Sequence, residues 1–181
     1  MITSQAVSQA PVAPPEDAAE VAPPDLLQHL RDAFPDALDV SVSADGIPSV
    51  RVRVEAIPEA VRRVRAELKH GRFVDVTCLD LLATEERFEL VYLFYAMDGH
   101  TWLRLRARTD AEAPSITPQL RGAAWYEREV YDLFGVRFAG HPDLTRIMMP
   151  DDWAGHPLRR DQPLGQEPVD FTVTRRVYGD D

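Results

Sequence analysis

Apolar and polar positions along the chain alternate with two different periods, and the changes of period mark the elements. Leu26, Leu27 and Leu30 share one helical face that Asp25 can cap, and the pattern runs through Phe34 to a stop at Pro35. Residues 38–43 and 49–55 alternate strand-fashion around Asp45-Gly46, which predicts a hairpin. Pro58 opens a second helical stretch, with Ala60, Val61, Val64 and Leu68 on one side and Gly71 as its end. Three strands are predicted next, at about residues 73–82, 87–97 and 101–109.

The middle strand of these three is apolar on both faces, from Leu90 to Tyr95, and is expected to be central and well covered. Its neighbour divides cleanly: Leu103, Leu105 and Ala107 point one way, and Arg104, Arg106 and Arg108 the other. A third helix is predicted over residues 118–134, with Thr117 as N-cap, Pro118 in the first turn and Gly135 past the end. Together these elements imply an α+β fold, a mixed or antiparallel sheet of about five strands covered by helices, followed by a long irregular C-terminal extension.

The third helix carries an anomaly. On a helical wheel Glu127 falls in the apolar stripe of Leu120, Ala123, Ala124, Val130, Tyr131 and Phe134. A carboxylate there is costly unless paired or hydrogen-bonded, so a basic or backbone N–H partner is predicted. A structural role is preferred to that of a proton-transfer acid. Arg128 and Asp132, four residues apart, are expected to pair on the wetter side.

Composition then divides the chain of 181 residues into three parts. Residues 1–24 hold five prolines, three acids and no lysine or arginine, the composition of a disordered acidic lead. Residues 25–135 make up the α+β domain. Residues 136–181 carry five prolines and four glycines and show no sustained period. Ordering such a segment costs about 1–2 kcal/mol per residue. Its scattered large apolar side chains, among them Phe138, Leu144, Met148, Trp153, Leu158, Phe171 and Tyr178, suit a segment that lies along another surface. Removal of residues 136–181 is expected to leave a folded domain.

The net charge of −10 is spread along the chain without a basic arm, which disfavours nucleic acid and anionic membrane as partners. A nucleic-acid face built from Arg51, Arg53, Arg104, Arg106 and Arg108 beside Trp102 is therefore disfavoured too. No apolar run is long enough to span a bilayer, and the N-terminus lacks a secretory pattern, so cytoplasmic residence is expected. The single cysteine rules out an internal disulfide and an iron–sulfur cluster held by four thiolates of this chain. Alternation puts Cys78 with Val74 and Val76 on an apolar face, as a buried structural thiol.

Two tripeptides, Gly140-His141-Pro142 and Gly155-His156-Pro157, stand beside Asp143, Asp151 and Asp152. Their spacing matches no familiar metal site, and the histidines are expected to fix turns by bonding backbone carbonyls or acidic groups, with Arg146, Arg159 and Arg160 facing similar partners. There is no Gly-rich phosphate loop or nucleophile–base pattern, which argues against a free-standing enzyme.

A longer pattern contains these pieces. It comprises Glu127-Arg128-Glu129-Val130-Tyr131-Asp132-Leu133-Phe134-Gly135, then Phe138, Gly140-His141-Pro142-Asp143-Leu144, Arg146-Ile147, Pro150-Asp151-Asp152-Trp153 and Gly155-His156-Pro157-Leu158-Arg159-Arg160-Asp161. It resembles the signature of the thirty-kilodalton-type subunit of the proton-pumping NADH:quinone oxidoreductase, respiratory complex I. Thr145, Met149 and Gln162 depart from the usual pattern.

The resemblance implies a non-redox structural subunit of the peripheral arm, on the cytoplasmic side of the bacterial inner membrane and attached to it only indirectly. Its signature residues would bind partners; no catalytic, cofactor or metal ligand is implied in this chain. FMN, iron–sulfur clusters and quinone would be bound by other subunits. The implied partners are chiefly the quinone-site subunit, which is related to hydrogenase large subunits, and adjacent iron–sulfur subunits. The alternative within the superfamily is the equivalent subunit of a membrane-bound hydrogenase or of a ferredoxin- or F420-dependent complex.

Overall fold

The computed structural model describes residues 24–162 except 67, 68, 70 and 83. The lead through residue 23, Leu68, and residues 163–181 with Phe171 and Tyr178 lie outside the described residues.

Helix α1 (Pro24–Ala33) buries Leu30, and Phe34 follows it into the core. The helix begins at Pro24, so Asp25 lies inside its first turn and is not its cap. Strands β1 (Asp39–Val42) and β2 (Pro48–Arg53) form the expected antiparallel hairpin. Gly46 takes φ 79° in its turn, a conformation glycine adopts at little cost, and Asp45 Oδ1 accepts the N–H of Ile47 at 3.2 Å.

Strand β2 ends two residues early because residues 54–56 coil into a 3₁₀ turn that feeds α2 (Ile57–Ala66). Helix α2 buries Ile57, Ala60, Val61 and Val64. Strands β3 (Arg72–Asp80), β4 (Phe88–Ala96) and β5 (Thr101–Thr109) follow as an antiparallel meander. The meander returns to lay β5 parallel to β2, and the sheet order is β1-β2-β5-β4-β3. The fold is therefore α+β with a mixed five-stranded sheet.

All three helices pack on the sheet face that carries Val50, Val52, Val76, Cys78, Leu90, Tyr92, Phe94, Leu103 and Leu105. The other face, with Val91, Leu93 and Tyr95 from β4, stays partly exposed. So β4 is interior in the sheet, but the described residues cover it on one side only, where its double-sided apolarity predicts cover on both. The alternation of β3 is interrupted by a bulge between Phe73 and Asp75, which takes Val74 out of the expected face; Cys78 is buried as expected.

Two short strands, β6 (Glu112–Pro114) and β7 (Arg137–Ala139), pair in parallel and flank α3 (Ala123–Phe134). Val136 and Phe138 are buried in the same core as the upstream elements. A cut at residue 135 would strip both side chains and β7, so the packed body extends past Gly135.

The helix expected from residue 118 starts only at Ala123. Residues 117–122 are turns instead, with the N–H groups of Gln119 and Leu120 bonded to Ile116 O. Thr117 caps nothing, because its hydroxyl is committed to Glu127.

Candidate functional site: a strap clamped to the end of α3

Helix α3 turns Glu127 into the core, where it is fully buried. Its carboxylate accepts the hydroxyl of Ser115 at 2.6 Å, the N–H of Ile116 at 2.7 Å and the hydroxyl of Thr117 at 3.0 Å. The predicted N–H partner is present. Burial raises the Glu127 pKa above the usual carboxylate value, against the pull of these three donors and of His141. His141 Nδ1 accepts the N–H of Asp143 at 3.1 Å, so the ring proton sits on Nε2 and is donated to Ala124 O at 3.1 Å. The same Nε2 lies 4.0 Å from Glu127.

Asp132 does not pair with Arg128, and it is not on the wet side. It is fully buried, and Oδ2 collects the N–H groups of Ile147, Met148 and Met149 at 2.8–3.0 Å while Oδ1 takes Arg146 at 2.6 Å. Burial alone would raise its pKa, but the Met149, Met148, Arg146 and Ile147 donors outweigh that and hold it low. The chain that follows β7, residues 140–162, forms a strap that rises to meet Asp132 and supplies donors that an i,i+4 partner would not. Arg128 reaches the strap separately, donating to Thr145 O at 3.0 Å and to Arg146 O at 3.1 Å.

A helix leaves its last four carbonyls without intrahelical donors, and in α3 all four are satisfied. Gly135 N bonds Tyr131 O at 2.8 Å, and the strap supplies the rest. His156 Nδ1 donates to Asp132 O at 2.9 Å, Leu158 N to Leu133 O at 3.0 Å and Arg159 Nε to Phe134 O at 2.5 Å. Arg159 and Arg146 also bring positive charge to the negative end of the helix dipole. Burial lowers the His156 pKa. Gly135 has φ 79°, and a Cβ there would lie 2.2 Å from Arg159 and 2.6 Å from His156. Any other residue would strain the backbone here and displace these two side chains.

The strap has further fixings. Gly155 O accepts Arg146 at 3.0 Å, Pro150 O accepts the N–H of Trp153 at 3.0 Å, and Leu144 packs against the core. Gly140 and Gly155 adopt φ 84° and 87° in the turns that carry His141-Pro142 and His156-Pro157. Glu129, Asp143 and Asp152 are exposed.

The far end of the strap latches onto the β3–β4 hairpin, where Asp80 accepts Arg160 N at 2.8 Å and Arg87 bridges Asp80 at 2.7 Å and Asp161 at 2.8 Å. Arg87 holds the Asp80 carboxyl well below its usual range. Sequence reasoning misses Asp80 and Arg87. Asp80 lies 80 residues before Arg160 and Arg87 lies 74 before Asp161, and no local pattern announces either contact.

These contacts clamp the strap to the end of α3. Burial pushes the Cys78 thiol up to about 12, with the Asp80 charge adding to the effect, so it is no thiolate at neutral pH. Among the described residues no three His, Cys, Asp or Glu side chains converge to hold a metal. While Arg146, His156 and Arg159 hold the clamp, the strap turns apolar side chains outward: Met148 and Leu158 are 57% and 51% exposed, and Trp125 on α3 is 65% exposed.

Comparison with known proteins gives this clamp a family. The model of the respiratory-chain NADH dehydrogenase 30 kDa subunit matches residues 50–168. The corresponding NADH-quinone oxidoreductase subunit of Roseiflexus sp. strain RS-1 is 42% identical over 159 residues, covering 84% of this chain and 91% of that one. The same subunit of Geobacter sulfurreducens is 42% identical over 123 residues, 66% of this chain and 76% of that one. Among solved structures, a chain of the membrane-bound sulfane sulfur reductase, an archaeal respiratory membrane complex, shares the fold with a TM-score of 0.62 at 22% identity, covering 77% of this chain and 85% of that chain. On the extent of these matches, the chain belongs to the respiratory-chain NADH dehydrogenase 30 kDa subunit family.

Proposed function

We propose that this chain is a non-redox structural subunit in the peripheral arm of a proton-translocating NADH–quinone oxidoreductase. It holds the quinone-site subunit and neighbouring iron–sulfur subunits in register, so that electron transfer in those subunits stays coupled to proton translocation. The observation that carries this reading is the division of labour in the strap. Arg146, His156 and Arg159 are spent internally on Asp132 and the α3 carbonyls, and the Arg160 N–H on Asp80, while Met148 and Leu158 face outward. A preordered backbone with apolar knobs binds at low entropic cost.

The protonated, buried Cys78 supports placing the iron–sulfur clusters in companion chains, and the flavin and quinone would be bound there too. No described helix is long and apolar enough to cross a membrane; in this reading the chain sits peripherally on the cytoplasmic side of the inner membrane, held there through companions. The fold alone does not choose the electron donor, since it recurs in a sulfane sulfur reductase complex; the 42% identical relatives favour NADH over a hydrogenase or a ferredoxin- or F420-linked complex.

Affinity purification of the tagged full-length chain from its native membrane tests the reading. Recovery with flavin- and iron–sulfur-bearing subunits, and NADH-driven quinone reduction by that assembly, is expected. Recovery with hydrogenase or F420-linked subunits would favour the alternative, and recovery of the chain alone would refute both.

A further inference from the structure

Among the described residues, the five-stranded sheet has one face without a helix, and that face is divided lengthwise. Toward β3 it is mostly apolar, with Leu79, Val91, Leu93 and Tyr95 partly exposed beside Asp75 and Thr77. Toward β2 it is an arginine ladder, because the parallel register sets Arg51 beside Arg106 and Arg53 beside Arg108. Like charges directly across a strand pair destabilise a sheet unless a counter-charge lies between them. Glu89, 1% exposed, supplies it for Arg106 and Arg108, and Asp45 pairs with Arg104 at 2.5 Å.

Arg51 and Arg53 have no carboxylate partner among the described residues. Asp39, across from Arg51, bonds Ser41 instead. Arg51 Nε is buried without a hydrogen-bond acceptor among the described residues. Arg51, Arg53 and Arg108, together with Glu55 and Glu86, line a depression of about 590 Å³.

We infer that this open face is a second docking surface, distinct from the strap, for a companion-subunit segment that sets carboxylates into the Arg51–Arg53 depression and apolar side chains against Val91 and Leu93. The inference rests on the proposed membership of a multisubunit assembly. Bidentate pairing suits guanidinium groups left with open donors. A nucleic acid would meet Glu89, Asp75 and an apolar half-face that contribute nothing to phosphate binding, in a chain of net charge −10.

The test places a photoreactive phenylalanine analogue at position 93 of the full-length chain in its native host, with irradiation of membranes before purification. A discrete adduct with a companion subunit, mapping to an Asp- or Glu-bearing peptide, is expected. In Arg51→Glu/Arg53→Glu its yield should fall about tenfold, while Arg51→Lys/Arg53→Lys keeps most of it. Thermal melts of the purified variants confirm that both are folded.

Adducts only with lipid, nucleic acid, residues 1–23 or a second copy would overturn the inference. So would the absence of any adduct from a chain that still co-purifies with its companions, which leaves the proposed function standing. A chain that co-purifies with nothing overturns both.

Discussion

Arg146 Nη1 and Asp132 Oδ1 lie 2.6 Å apart, and this pair joins the strap to the last turn of α3 inside a site where the carboxylate is fully buried. Three backbone N–H groups complete the shell. Removing one member leaves buried charge or buried donors uncompensated, at about 3 kcal/mol. Asp132→Ala should therefore lower stability by about that amount in urea unfolding and expose residues 144–162 to protease.

Acid should loosen the same clamp. The folded pKa values of Asp132 and Asp80 are depressed, so their contribution is fully present above the unfolded value of about 3.9 and is lost as pH falls through the folded values. His156, also depressed, begins to lose its contribution below about pH 6.5. Protease clipping within the strap, followed from pH 7 to pH 3, should rise first weakly and then steeply. Flat kinetics across that range would exclude the linkage.

Glu127 has the opposite sign. Its folded pKa is raised by burial, so its contribution is fully present below the unfolded value of about 4.3 and declines as pH rises through the folded value. Glu127→Gln keeps an acceptor for Ile116 and removes the titration, so its stability profile should be flatter above pH 5. Glu127→Ala strands three donors and should cost about 2–4 kcal/mol. Paired denaturant titrations across pH measure both.

Gly135→Ala should act through space and through backbone. Its φ of 79° disfavours a Cβ, and the added carbon would displace Arg159 and His156 from the α3 carbonyls. A loss of about 2 kcal/mol is expected, together with faster hydrogen exchange at the Leu158 amide, which bonds Leu133 O.

Periodicity makes the hairpin, the meander and two of the helices legible, because each repeats its apolar spacing over several residues. Burial of Glu127 and its backbone donor follow from the same wheel. The start of α3 falls later than its signals suggest, because Thr117 and Pro118 are good helix-starting residues whose side-chain and turn geometry are instead organised by Glu127. Asp132 reads as solvent-facing because an i,i+4 rule sees only one helix, whereas its partners come from the strap. β6 and β7 span three residues each, too few to show a period. The Asp80–Arg160 contact is long-range and leaves no local trace.

The central claim is that the clamped strap presents Met148 and Leu158 to companion subunits. Membranes carrying the full-length Met148→Ser/Leu158→Ser chain, resolved on a native gel and probed for this subunit, test it most directly. The account predicts a purified variant with an unchanged melting temperature that is nevertheless depleted from the high-mass assembly. Incorporation equal to that of the unaltered chain would contradict it.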